Sequence, residues 1–243
     1  MVVLSPSLHL KKTMIDSHCH LPLNNDPQIT SRFICAATEG DWEELSSQSN
    51  QNIPFFGIHP WYAENIDIPS FKERLRNILK AHPESGVGET GLDRLKNKII
   101  SNDARELFSA HLEIADEMNR PIVVHGAKCW GEVYKECAKY KNIPSFLFHG
   151  FSRSGGLIPD IASINGFFSV GHSILNDHAI NYRELVKELP VDRILVESDC
   201  DGTKEIPSLK SIVEKLSEIR SMEFSEMNET IDENANRFIR RLK

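Results

Sequence analysis

The feature that most constrains the fold is a rhythm. Eight short apolar, β-rich runs, at 14–20, 32–38, 54–59, 86–90, 121–125, 145–149, 167–172 and 194–199, recur along the 243 residues. Most intervals between them carry helical periodicity, as at 71–81, 104–118 and 132–140, where apolar residues return every three or four positions. Two more helical segments follow at 208–220 and 231–242. Alternation of this kind implies parallel strands joined by helical crossovers, and eight repeats of about 20 to 35 residues predict closure into a (β/α)8 TIM-type barrel. Periodicity does not see closure, so an open doubly wound sheet is the structural alternative. No GxGxxG follows the first strand, which removes the dinucleotide-binding version of that sheet. One domain over 14–243 is expected, with 1–13 as an N-terminal extension.

Composition narrows the function. A formal net charge of -7 disfavours a continuous basic surface for duplex nucleic acid, but leaves room for a local positive patch beside a phosphate-binding site. The five cysteines (Cys19, Cys35, Cys129, Cys137, Cys200) are odd in number and form no CxxC pair, which fits a reducing, cytoplasmic compartment better than a disulfide framework. No apolar run approaches the roughly 20 residues that span a bilayer, so no membrane role is expected. In the first 13 residues the lysines follow the apolar stretch, the reverse of a secretory signal. A monomer without an obligate protein partner is the expectation.

The chemistry lies in where the strands end. His18 and His20, then His59, Glu89, His125, His149 and Asp199 close most of the predicted strands at their carboxyl ends, which in a barrel share one face. Residues i and i+2 of a strand point the same way, so His18 and His20 both aim into the barrel mouth while Cys19 points away. Glu89 sits in GVGETGLD, where flanking glycines permit close approach and a carboxylate can bridge two cations. Asp93, in the same motif, is read either as a turn cap or as support for a ligand. His125 and His149 follow β-branched or aromatic runs, and a buried imidazole there needs a partner. Asp199 ends ILVESD and calls for a neutralising cation, with Glu197 sharing its direction. His9, His82, His111 and His178 fall in the tail, helices or loops and are read as incidental, while His172 ends a strand with no ligand vacancy to fill.

Taken in order, IDSHCHL, GIHPW, GETGLD, RPIVVH, FHGFS and VESD strongly resemble the TatD-related hydrolases, metal-dependent deoxyribonucleases of the amidohydrolase superfamily. The resemblance runs from 14 to about 239 and includes ENANRFI, similar to the family's closing helix. It implies two divalent ions, one surrounded by His18, His20, Glu89 and Asp199, the other by Glu89, His125 and His149, with Glu89 as the bridge. Three places depart from the family pattern. Ala127 stands where an arginine is common, with Lys128 beside it; Arg153 replaces a frequent glycine; and Cys200-Asp201-Gly202 replaces a Pro-aromatic continuation. Each bears on the rim of the pocket more than on the metals.

The leading expectation is hydrolysis of phosphodiester bonds in single-stranded DNA by a metal-activated water, with Asp199 and Glu89 catalytic and Asp199 accepting the water's proton. Mixed nitrogen and oxygen ligation admits Mg²⁺, Mn²⁺ or Zn²⁺. His59, Lys128 and Arg153 are the candidates for substrate phosphates. The same site could serve an amidase, lactonase or deaminase, since fold and ligands do not separate these chemistries. A non-enzymatic interaction protein that keeps metal for structure is the remaining alternative.

Overall fold

The apolar runs form eight strands: β1 (Met14–Cys19), β2 (Ile29–Cys35), β3 (Ile53–Phe56), β4 (Gly86–Asp93), β5 (Ile122–Ala127), β6 (Phe146–Phe148), β7 (Gly166–Val170) and β8 (Ile194–Val196). They pair in parallel in sequence order, β1 beside β2 through to β8. The structure, a computed structural model, describes residues 14–48, 51–96, 98–203 and 206–242. The expected extension at 1–13 lies outside the described residues.

Helices follow the strands as α1 (Trp42–Ser46), α2 (Ile68–Ala81), α3 (Asn102–Met118), α4 (Trp130–Cys137), α5 (Ile158–Ser163), α6 (Ile180–Glu188), α7 (Leu209–Arg220) and α8 (Phe224–Phe238). Their starts are written locally. The Asp67 side chain accepts the Ser70 N–H to begin α2, and Ser101 accepts the Ala104 N–H to begin α3. Helix α2 then buries Phe71, Leu75 and Leu79, one stripe at spacing four. Several expected boundaries move: α2 begins at Ile68 and α3 at Asn102, ahead of the expected 71 and 104. The helix read at 132–140 is Trp130–Cys137, and the one read at 231–242 begins at Phe224 and ends at Phe238, followed by a 3₁₀ turn at Arg240–Leu242. Among the described residues no helix is long and apolar enough to cross a membrane. All five cysteines are free thiols and buried.

The open-sheet alternative fails at the seam between β1 and β8. Asp199 N–H donates to the His18 carbonyl at 3.0 Å, His20 N–H donates to the Cys200 carbonyl at 2.6 Å, and the Ser17 hydroxyl donates to the Val196 carbonyl at 2.7 Å. The buried Asp16 carboxylate adds two bonds across the same seam, accepting the Ser198 N–H at 2.9 Å and the Ser198 hydroxyl at 2.6 Å.

Inside the barrel, Phe33, Phe55, Val123, Leu147, Phe167 and Leu195 form one cluster, separate from the layer between strands and helices. Phe238 of α8 closes it from the amino-terminal end of the strands, with its ring centroid 5.7 Å from Phe33, 5.9 Å from Phe55 and 5.8 Å from Phe167. Hydrogen bonds hold that floor: the Ser145 hydroxyl donates to the Phe238 carbonyl at 2.6 Å, and the Asn234 amide donates to the Val191 and Ile194 carbonyls at 2.9 and 2.8 Å. Truncating a core aromatic of this kind typically costs about 3 to 5 kcal/mol. With the floor sealed by apolar side chains, polar chemistry is left to the carboxyl ends.

Candidate metal centre

Two residues beyond Val123 and Leu147 on their inward-facing rows come His125 and His149, and beyond Leu195 come Glu197 and then Asp199. The other two contributors reach the centre through irregularities. In β1 the register shifts between Asp16 and Cys19, so that Ile15 packs on the inner cluster and His18 also turns inward, three positions later. In β4 the register shifts between Val87, which packs in the outer layer, and Thr90, and Glu89 within this step points to the centre.

Glu89 is the hub. Its Oε1 lies 2.7 Å from His149 Nε2, 2.9 Å from His125 Nδ1 and 3.6 Å from His59 Nε2; its Oε2 lies 3.2 Å from His20 Nε2 and 3.4 Å from His18 Nε2. His18 Nε2 is also 3.5 Å from Asp199 Oδ1. His125 Nδ1 and His149 Nε2 stand 3.1 Å apart, which closes a triangle of donors with Glu89 Oε1. Donors around a cation with bonds of about 2.0 to 2.1 Å are separated by about 3 Å, so the triangle has the dimensions of a coordination face. Three sets of donor atoms lie within 4.8 Å of one another: His18, His20 and Asp199; His18, Glu89 and His149; His59, Glu89 and His125.

A ring of supporting groups orients these donors. Asp93 does both things read for it: its Oδ1 accepts the Leu95 and Lys96 N–H groups at 2.5 and 3.0 Å, while Oδ2 meets His125 Nε2 at 3.2 Å. The Trp61 indole N–H donates to the same Oδ2 at 2.6 Å. Glu197, buried, faces His149 Nδ1 at 3.6 Å and accepts the Ser169 hydroxyl. His20 Nδ1 meets the Cys35 carbonyl at 2.8 Å, which leaves Nε2 for the centre.

Electrostatics mark the centre as one that wants positive charge. Burial opposes ionisation of Glu89, yet His149, His59 and His18, with His125 Nδ1 2.9 Å from Oε1, hold its carboxyl well below the usual range. Burial and the neighbouring His18 pull His149 down, but Glu89 and Glu197 outweigh them and raise it to about 10. His59, buried among other imidazoles, is pushed down to about 4 despite Glu89. Partial desolvation at the mouth tends to raise Asp199, but its contact with His18 brings it down to about 2. His18 is fully buried and neither of its ring nitrogens has a hydrogen bond, and Glu89 Oε1 and His149 Nδ1 are likewise buried without one. Orphaned donors of nitrogen and oxygen type, gathered round one carboxylate, fit a divalent cation taking the place of protons.

The structure brings His18, His20, His59, Glu89, His125, His149 and Asp199 into this one cluster. His59, read as a phosphate contact, is near enough to Glu89 to join the donor sets. Asp199 departs from its expected setting: β8 ends at Val196, Asp199 has a left-handed φ of 50°, and its side chain is 45% exposed instead of buried. Lys128 and Arg153 are exposed, on the turns after β5 and β6, with left-handed φ values of 57° and 62°; among the described residues neither pairs with a carboxylate. His172 lies beyond the end of β7, exposed, at the start of a 3₁₀ turn. His111, read as incidental, is a buried structural group: its Nδ1–H donates to the Leu107 carbonyl at 2.7 Å and its Nε2 accepts the Ile58 N–H at 3.0 Å. Trp61 and Ser169 carry no sequence signal of their own; the GIHPW motif contains Trp61, but only its histidine suggests chemistry.

Comparison with known proteins bears on the family and the fold. The sequence model of the "TatD related DNase" family matches residues 15–240. A metal-dependent hydrolase of Bacillus subtilis is 29% identical over 196 residues, 76% of either chain, and one of Methanocaldococcus jannaschii is 26% identical over 250 residues, 93% of this chain and 97% of that one. The 3'-5' ssDNA/RNA exonuclease TatD of Pectobacterium atrosepticum is 23% identical over 199 residues, 76% of either chain. Among solved structures, a TatD homologue from Escherichia coli superposes with a TM-score of 0.80 at 19% identity, over 94% of this chain and 98% of that one. A lactonase from Listeria monocytogenes gives 0.64 at 13% identity, over 94% and 95%.

Proposed function

The chain belongs to the TatD-related DNase family and is a metal-dependent hydrolase, and from that premise we propose that it cleaves phosphodiester bonds of single-stranded DNA. One observation carries the reading: the two oxygens of Glu89 face different sets of imidazoles, Oε1 toward His125, His149 and His59, Oε2 toward His18 and His20. A carboxylate so placed would bridge two cations, the first of which His18, His20, Glu89 and Asp199 would hold, and the second Glu89, His125 and His149. Two divalent ions, Mg²⁺, Mn²⁺ or Zn²⁺, supply Lewis acidity and charge neutralisation to phosphoryl oxygens when bound.

The chain's own groups do the rest. Asp199, half exposed at the mouth, takes the proton from the attacking water and returns it to the leaving oxygen. Asp93 and Glu197 fix the rings of His125 and His149. His59, a neutral imidazole at the centre, donates a hydrogen bond to the substrate's phosphates, and Lys128 and Arg153 on the surrounding turns neutralise their charge. Single-strand preference rests on access, because a paired end must be unstacked before its terminal phosphodiester reaches a centre inside a barrel. The exonuclease activity named for the Pectobacterium relative supports the same substrate class.

The test is metal-stripped protein reloaded with Mg²⁺, Mn²⁺ or Zn²⁺ and given end-labelled single-stranded DNA, with Asp199→Ala beside it. Metal-dependent shortening that vanishes in the variant is expected. No cleavage by protein that carries two ions per chain refutes the reading and shifts the substrate to a small amide or lactone, as the fold shared with the Listeria lactonase allows.

A further inference from the structure

The 3₁₀ turn Pro60–Tyr62 follows directly on His59 and puts two large aromatic side chains at the edge of the metal centre. Trp61 and Tyr62 are each 49% exposed, whereas the other two tryptophans, Trp42 and Trp130, are 8% and 4% exposed. Exposed Trp is costly to solvate and is usually buried or in use. Trp61 is not loosely exposed. Its backbone N–H donates to His59 Nδ1 at 3.1 Å, its indole N–H is tied to Asp93, and Pro60 restricts the chain before it. Its ring centroid is 4.9 Å from that of His59, and His59 is 4.6 Å from His125, so the indole is one aromatic step from the donors around Glu89. Lys96 Nζ stands 4.7 Å from the Trp61 ring centroid and 5.9 Å from that of Tyr62, so the platform has its own cation.

A rigid, half-exposed aromatic face with an ammonium over it, next to a hydrolytic centre, has the makings of a stacking site for a planar group that carries negative charge close by. We infer that Trp61 and Tyr62 form a base-stacking subsite, which takes the unpaired nucleobase next to the scissile phosphodiester while Lys96 swings from the ring to the flanking phosphate. Stacking is tolerant of base identity, because every base has a π-face, and it fits a strand end whose bases are already unpaired. The inference rests on the phosphodiesterase reading, since only a nucleotide substrate brings a base to this place. It adds to that reading a means by which the enzyme selects nucleic acid over other phosphate esters. It also couples recognition to the centre: a base stacked on Trp61 presses on the side chain that holds Asp93, and Asp93 holds His125.

Trp61 is itself the reporter, as the other two indoles are buried. Full-length, Mg²⁺-loaded protein is titrated with deoxyadenosine monophosphate and with deoxyribose phosphate, neither of which contains a diester. Saturable quenching of tryptophan fluorescence by the nucleotide but not by the sugar phosphate is expected, and Trp61→Phe abolishes it. Cleavage supplies a second readout that needs no variant to fold. Removing the base beside the scissile bond lowers kcat/KM about tenfold to a hundredfold in the wild type, and in Tyr62→Ala or Trp61→Leu the intact and abasic substrates converge. Trp61→Phe, which keeps a ring but loses the bond to Asp93, retains part of the base preference. DNA cleavage with equal rates on intact and abasic ends, and no base-dependent quenching, overturns the stacking site and leaves the nuclease reading standing. Absence of cleavage with every metal, measured in parallel, overturns the nuclease reading and the subsite with it.

Discussion

Acidification offers a clean test of the interior hydrogen bond that anchors the centre's outer turn. His111 is completely buried in α3, and its unprotonated Nε2 accepts the Ile58 N–H, one residue before His59. Burial pushes its pKa from 6.5 down to about 4, with only the Leu107 carbonyl bond opposing. Between those two values the unfolded chain binds a proton that the folded chain refuses. Stability from this group is therefore fully present above pH 6.5 and is lost as the pH falls toward 4. At about 1.4 kcal/mol per pKa unit the whole effect is about 3 kcal/mol, and about 2 kcal/mol of it is gone by pH 5. His111→Gln removes the titration while leaving an oxygen to accept the Ile58 N–H. Urea unfolding of metal-stripped wild type and variant, at pH 7.5 and pH 5, cancels the titration of the histidine cluster common to both. The stability gap between them should shift by about 2 kcal/mol in favour of the variant on acidification. A gap that is the same at both pH values, within about 0.5 kcal/mol, would show that His111 does not titrate as its surroundings require.

Other perturbations address the centre and the floor. Glu89→Gln keeps the shape of the hub but takes the charge from five imidazole contacts, so bound metal, read by elemental analysis, should fall to a small fraction of the wild type's. Activity should drop on the order of 10³-fold with it. Glu197→Gln leaves every proposed ligand in place but weakens the hold on His149, and competition with a chelator should show metal affinity reduced about 10- to 100-fold. Asp232 of α8 has a buried Oδ1 without a hydrogen-bond partner, and burial raises its pKa to about 6. The folded state then binds the proton more tightly, so stability declines as pH rises from about 4 through 6. Asp232→Asn should flatten that decline and raise the melting temperature at neutral pH.

The barrel was legible because its signal is repeated. Each run of apolar residues is weak alone, but eight of them at similar spacing leave few architectures, and the ligand-type residues closing them agree with only one face. Simple i, i+2 reasoning placed His18 and His20 correctly, although the register shift in β1 that turns His18 inward has no mark in MIDSHC. Strand ends were less legible. FLF and ILV pair as strands while His149 and Asp199 lie beyond them, each still tied to a neighbouring strand by one backbone bond, to the Val124 and His18 carbonyls, outside the regular ladder. The role of His111 depends on an N–H 53 positions away, and no local pattern announces such a partner. Trp61 is the opposite case: the residues that fix it, His59, Pro60 and Asp93, were all in view, but an aromatic after a proline is too common to stand out until its exposure is known. The ENANRFI motif marks the floor helix, but the first turns from Phe224 carry few apolar residues and so show little helical period.

The seam between the first and last strands sets an order on how this protein can come into being. His18 and His20 leave the ribosome early, but Asp199, which completes their side of the centre, and the Asp16–Ser198 bonds that lock the seam arrive only after β8 has been made. Until then the early histidines are on an open sheet edge, without the carboxylate that follows β8 beside them. A nascent chain is thus unable to assemble the proposed centre while it is still being translated through its middle strands, and activity is expected only once the ring has closed.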